Sequence, residues 1–187
     1  MENQSLNYKN VWIVGDSYIR RGEERARETM GTSLGLDARV QWIGWGGLRW
    51  ERLLPFIHQS LRGRAAPDVL LIHCGGNDLG NTKSLRLVAD MKRDLQDLHW
   101  RFPGTKILLS AISQRRRWRT ANPGKIDKTR KWVNNVMATF VQSFGGIFIP
   151  HPTIKFDNAD LFLKDGVHLT PRGNYIFLNS MVHSLKD

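Results

Sequence analysis

Short apolar runs alternate with amphipathic stretches along this chain. Asn10-Val11-Trp12-Ile13-Val14 shows no inside-outside alternation and stops at Gly15, which predicts a strand buried on both faces. Residues 18–30 are dominated by Arg, Glu and Ala and predict a helix. Residues 39–45 predict a second strand, and 50–61 a helix with Leu53, Leu54, Ile57 and Leu61 inward. Residues 68–74 form a third strand, followed by a long helix over 84–101 whose Leu87, Met91, Leu95 and Leu98 share one face. A fourth strand at 105–112, a helix at 126–144, a short strand at 146–150 and a closing helix at 171–185, with Pro171 in its first turn, complete the pattern. Strands alternating with helices specify an α/β fold with a mainly parallel five-stranded sheet covered on both faces. Such sheets bind ligands beyond the carboxyl ends of their strands. Residues 1–9 read as a polar tail and 10–187 as a single domain, and residues 113–125 as an Arg-rich loop insertion.

Composition narrows the class. With 187 residues and 41% hydrophobic positions the chain has enough apolar material for one core. Its longest apolar stretches, such as Val69-Leu70-Leu71-Ile72, fall far short of the roughly 20 residues of a membrane span. The polar start has no apolar core of a secretory signal, so an intracellular, cytoplasmic protein is expected. A single cysteine, Cys74, excludes an intrachain disulfide and a cysteine cluster for zinc. The charge is distinctive: 28 Lys and Arg face 17 Asp and Glu, a net of +11. Between Arg101 and Trp132 stand ten basic residues and one acid, Asp127. A field so concentrated attracts phosphate-rich partners, nucleic acid or anionic lipid.

Four polar or glycine-rich clusters fall at strand ends or a helix start: Gly15-Asp16-Ser17, Gly44-Trp45-Gly46-Gly47, Gly75-Gly76-Asn77-Asp78 and Asp165-Gly166-Val167-His168. Each alone has an ordinary structural explanation, as helix cap, tight turn, Asx-turn or surface hydrogen bond. Their joint occurrence, in order and at the rim where a site belongs, is what points to chemistry.

These blocks resemble those of the SGNH (GDSL-type) hydrolases, over most of the chain. The resemblance implies a three-layer α/β/α, flavodoxin-like sandwich and hydrolysis of esters, often short acyl or acetyl esters. Carried over by position, it implies Ser17 as nucleophile, His168 as base and Asp165 as its partner. Ser17, Gly47 and Asn77 would form the oxyanion hole. Tyr18 stands where the family has Leu, a position expected to pack against the core. The implied roles agree with residue chemistry. A serine hydroxyl needs a neighbouring base, histidine can take and return its proton, and a carboxylate three residues away can fix the imidazole tautomer. Preorganised N–H donors then meet the developing oxyanion. No metal or organic cofactor is required. Asp16 and Asp78 read as structural hydrogen-bonding groups, and His73 as a core residue. His151 reads as part of a rigid loop beside the site, and His58, His99 and His183 as helix-surface or structural residues.

Seven tryptophans are many for this length. Trp12, Trp42, Trp100 and Trp132 are expected in the core, while Trp45, Trp50 and Leu48 surround the Gly47 loop and suggest an apolar wall. Trp118 lies inside Arg115-Arg116-Arg117-Trp118-Arg119. This mixture of guanidinium and aromatic groups fits a phosphate-binding, base-stacking surface or an anchor on an anionic membrane. A narrower resemblance also applies. Leu48-Arg49-Trp50, the run from His73 to Gly80 and Asp165-Gly166-Val167-His168-Leu169 resemble esterase-like domains in first-open-reading-frame proteins of vertebrate LINE-type retrotransposons. That implies an RNA-associated protein that self-associates through segments outside this chain. Three functions therefore stand open: a serine esterase on a small ester or lipid, a binding module for RNA or anionic lipid on the same scaffold, and a carbohydrate O-deacetylase.

Overall fold

A computed structural model describes residues 10–119 and 122–186; the expected tail at 1–9 lies outside the described residues. Five strands, β1 (Asn10–Gly15), β2 (Arg39–Gly44), β3 (Val69–His73), β4 (Lys106–Ser110) and β5 (Ile147–Ile149), form one sheet in the order β2-β1-β3-β4-β5. All neighbours are parallel, with Val14 opposite Ile43 on one side and Ile72 on the other. Helices α1 (Ser17–Glu28), α2 (Trp50–Leu61), α3 (Ser84–Arg101), α4 (Pro123–Ser143) and α5 (Pro171–Lys186) cover it.

The strand order dictates which helix lies on which face. From β1 the chain steps outward to β2, then returns past β1 to β3 and continues to β5. Right-handed crossovers put helices of opposite stepping direction on opposite faces. Accordingly α1 packs with α5 on one side, and α2, α3 and α4 pack in series on the other. Each face has its own core. Ile13, Ile19, Leu71, Phe177 and Leu178 anchor the first, and Trp50, Ile57, Ile72, Leu95 and Val133 the second. The reversal lies between β1 and β3, so the crevice for a ligand opens beyond Gly15 and His73.

Several elements differ from expectation in ways that have a physical cause. The fourth helix begins at Pro123 rather than 126, because Asn122 caps it by accepting the Lys125 N–H and Pro at the first position is preset for helix. Trp12 is buried and Trp42 half-buried, but Trp100 and Trp132 are 77% and 40% exposed. On an ideal helix Trp100 lies roughly 200° round from Leu98, which faces the core. Trp50 is instead the best-buried tryptophan, at 1%. Its indole N–H donates to the buried carboxylate of Asp94 at 2.9 Å, and its backbone N–H to Asp78 at 3.0 Å. The basic window also disperses. Arg101 pairs with Asp97 on α3, and Arg130 is buried, held by Asp127 and the Ile112 carbonyl. Among the described residues no helix is long and apolar enough to cross a membrane.

Trp50→Phe removes a donor from a buried carboxylate, so urea unfolding is expected to show a loss of about 2 kcal/mol. Trp100→Phe, on the exposed face, is expected to stay within about 0.5 kcal/mol of the parent.

Candidate active site

At the end of β1 the chain turns directly into α1. The Asp16 side chain caps the helix by accepting the Tyr18 N–H at 3.0 Å, and the Asp16 N–H is held by the His73 carbonyl. Ser17 is thereby placed at the first helical position, where backbone N–H groups have no intrahelical acceptor and the helix dipole favours negative charge.

The 163–168 turn brings His168 to the same rim. Asp165 Oδ1 accepts the N–H groups of Val167 and His168, both at 2.9 Å, and Oδ2 accepts from His168 Nδ1 at 2.5 Å. Both carboxylate oxygens are thus used, one to shape the turn and one to orient the ring. Burial alone would raise this carboxyl. The Val167 N–H and the His168 ring and backbone outweigh it and hold it at about 2, so Asp165 stays ionised. His168 Nε2 stands 3.1 Å from Ser17 Oγ, across 151 residues of sequence. Serine, histidine and aspartate therefore form one hydrogen-bonded chain.

The donors lie opposite. Leu48 N–H closes on the Trp45 carbonyl at 3.2 Å, so residues 45–48 form a turn with Gly47 third and at φ +74°. Such a turn requires a left-handed residue there, and glycine takes that geometry without strain. Asn77 donates from Nδ2 to the Leu48 carbonyl at 3.0 Å, and its second amide hydrogen remains for the cleft. Ser17, Gly47, Asn77, Asp165 and His168 line one cleft of about 440 Å³.

Three features at this site were not read from the sequence. Tyr18 does pack in the core, 2% exposed and stacked on His73, but its hydroxyl also donates to the Val167 carbonyl at 2.5 Å. The residue next to the serine thus grips the turn that carries the histidine. Arg115 donates to Asn77 Oδ1 at 3.4 Å and lies over the Trp118 ring at 4.9 Å. It fixes which way the Asn77 amide points. Arg20 joins the cleft from α1; its place three residues after Ser17, one helical turn, was the available signal. The loop arginines do not form a separate patch. Arg115, Arg117, Arg119 and Trp118 line the cleft, while Arg116 turns away to the Phe156 carbonyl. Their backbone is stapled to the histidine turn, since the N–H groups of Arg116 and Arg117 both donate to the Gly166 carbonyl at 2.8 and 3.0 Å. Gly166, at φ +70°, has no room for a side chain beside Arg117.

A second serine–histidine contact lies behind the sheet rim. Ser110 Oγ is 2.8 Å from His73 Nδ1 and 2.6 Å from His151 Nε2. His151 does not line the cleft; it is buried against Phe177. Burial lowers both rings, His151 to about 3, so they are neutral, and Ser110 is 1% exposed and out of reach of a substrate. Asp78 serves as expected, bonding the Trp50 N–H behind the Gly47 turn. Among the described residues no group of three or more His, Cys, Asp or Glu is placed to hold a metal ion.

Residues 13–176 match the model of the GDSL-like lipase/acylhydrolase family. No curated protein matches the chain. Among solved structures, a GDSL-like lipase from Bacteroides thetaiotaomicron VPI-5482 superposes with TM-score 0.73 at 14% identity, covering 100% of this chain and 92% of its own. A member of the lipolytic G-D-S-L family from Veillonella parvula DSM 2008 gives 0.74 at 14%, covering 94% and 97%. An acetyl esterase, crystallised as a serine-to-alanine mutant with acetate ion, gives 0.69 at 15%, covering 95% and 96%. At these identities the likeness to solved structures establishes the α/β fold.

Two outcomes follow from this geometry. Tyr18→Phe keeps the ring but frees the histidine turn, so kcat on a short-chain ester is expected to fall between about tenfold and a hundredfold with KM little changed. Asp16 is pushed up to about 6, chiefly by burial, with Arg115 and the Tyr18 N–H opposing. Its folded value lies above its unfolded one, so the parent loses stability as pH rises from about 4 through 6. Asp16→Asn keeps the cap without the charge. In urea titrations it is expected to exceed the parent by about 2–3 kcal/mol at pH 8 and by little at pH 4.

Proposed function

The chain belongs to the GDSL-like lipase/acylhydrolase family of SGNH-type carboxylic ester hydrolases, and we propose that it cleaves small acyl or acetyl esters with Ser17 as nucleophile, His168 as base and Asp165 as its partner. The 3.1 Å approach of Ser17 Oγ to His168 Nε2, with Asp165 on the other ring nitrogen, carries this assignment. Ser17 Oγ attacks the ester carbonyl carbon as its proton passes to His168 Nε2. The carbonyl oxygen becomes an oxyanion and meets the Ser17 and Gly47 N–H groups and the Asn77 amide. Collapse breaks the bond to the alkoxy oxygen, which leaves with the proton from His168. A water molecule then attacks the acyl-serine with the same base, releasing the acid and restoring Ser17. Asp165, held ionised, stabilises the imidazolium in both halves.

The resemblance of the segments around Leu48, His73 and Asp165 to LINE-type first-open-reading-frame proteins supports a biological setting. The domain would serve a retrotransposon RNA-associated protein, with self-association through other segments. RNA or an anionic membrane is the phosphate-rich partner that the loop arginines favour in that setting. A carbohydrate O-deacetylase shares every catalytic step and differs in the alcohol released. Turnover of acetylated sugars against acyl lipids separates the two.

Ser17→Ala is expected to lose about 10³-fold or more in hydrolysis of a short-chain nitrophenyl ester. It is also expected to lose labelling by a fluorophosphonate, read by intact mass. Parent-like turnover in the alanine variant would overturn the assignment.

A further inference from the structure

Three of the four loop arginines expected to face phosphate partners are walls of the cleft itself, and a fourth guanidinium joins them from the first helix. Arg20 comes from α1, and Arg115, Arg117 and Arg119 from the loop between β4 and α4. The lining holds four guanidinium groups and one carboxylate, Asp165, which is already committed to His168 and its own turn. None of the four is within ion-pair distance of a carboxylate among the described residues, although other arginines are paired, as with Arg25, Arg93, Arg101 and Arg130. Surface arginines are ordinarily balanced by nearby acids. Here they are concentrated where a substrate must lie: Arg115 acts electrostatically on the buried Asp16, while Arg20, Arg117 and Arg119 have no carboxylate within ion-pair distance among the described residues.

The four are not equivalent. Arg115 is engaged with Asn77, Trp118 and the Tyr18 ring, which makes it a positioning residue for the amide donor. Among the described residues the guanidinium groups of Arg20, Arg117 and Arg119 have no ion-pair or hydrogen-bond partner. Arg117 indicates which part of the substrate they serve. Its backbone is bonded to Gly166, two positions before His168, and its Cβ and Cγ occupy the space that a side chain at Gly166 would need. His168 returns its proton to the leaving oxygen, so the alcohol half of the ester lies on that side. A planar fork of N–H donors matches the oxygens of a phosphate, and Trp118 adds an apolar face beside it.

We infer that the cleft selects esters whose alcohol carries a phosphate group, with Arg117 and Arg119, supported by Arg20, as the specificity-determining residues. This rests on the esterase assignment for Ser17. Only the acyl C–O bond is broken; the phosphate stays on the released alcohol and serves as a handle.

Matched pairs of esters test it. 4-Acetoxyphenyl phosphate is compared with 4-acetoxyphenol, and lysophosphatidic acid with the monoacylglycerol of the same chain, in kcat/KM at low ionic strength. The phosphate member of at least one pair is expected to be preferred by roughly tenfold or more. The short pair reports a small soluble ester and the long pair a lipid headgroup, and preference in either supports the inference. The preference is expected to shrink as salt shortens the Debye length from about 30 Å at 0.01 M to about 10 Å at 0.1 M. In R117Q/R119Q the phosphate-to-uncharged ratio is expected to fall toward one, whatever the absolute rates. Circular dichroism of the variant verifies its fold, and R117K/R119K, which keeps the charge but not the fork, is expected to retain part of the ratio. Equal turnover within both pairs, or a ratio unmoved by R117Q/R119Q, would overturn the inference while leaving the esterase assignment intact. Failure to turn over any of the four esters, together with no fluorophosphonate labelling of Ser17, would overturn both.

Discussion

A parallel sheet built from right-handed crossovers has one place where its stepping direction reverses, and in this chain that place is the gap between β1 and β3. The serine and donor side of the site depends on it. The reversal leaves the ends of two adjacent strands free of a covering crossover, so Gly15-Asp16-Ser17 and Gly75-Gly76-Asn77 emerge side by side. The Gly47 turn arrives from β2 on the same rim, and Trp45 N–H bonds the Gly15 carbonyl to hold it there. The histidine turn is the one part that the sheet does not place. It is brought in by α5 and secured by the Tyr18 hydroxyl and the Arg116–Arg117 backbone.

The fold was legible because its signals are local. Val69-Leu70-Leu71-Ile72 has no polar alternation and so belongs to a strand covered on both sides, and Leu87, Met91, Leu95 and Leu98 recur at helical spacing. The meeting of Ser17, Asp165 and His168 was legible through the blocks they stand in. What stayed hidden is decided by contacts between segments far apart in the chain. Nothing in Arg115 to Arg119 announces that two of its N–H groups will seek the Gly166 carbonyl, so the run read as an outward surface. The Tyr18 hydroxyl was unreadable for the same reason, its acceptor lying 149 residues away. The misplacement of Trp100 and Trp132 is different. The large apolar area of an indole favours burial, but the helical angle from Leu98 puts Trp100 outside.

The electrostatic layout separates two histidine environments. His73 and His151 are sealed between α5 and the sheet, neutral, and joined through Ser110. His168 stands at the rim with an ionised carboxylate on one nitrogen and a hydroxyl on the other. Both groups contain a serine within hydrogen-bond reach of an imidazole. Access and a charged partner, rather than proximity alone, distinguish the one that can do chemistry.

The double grip on the Gly166 carbonyl has an evolutionary consequence. Most exposed connections drift freely in length, because gaining or losing a residue disturbs only themselves. The segment between β4 and the Gly166 contact is registered against the turn that carries His168, so an insertion or deletion there shifts the imidazole as well as the loop. Length polymorphism among descendants of this gene should therefore gather elsewhere on the surface, with this stretch changing by substitution alone.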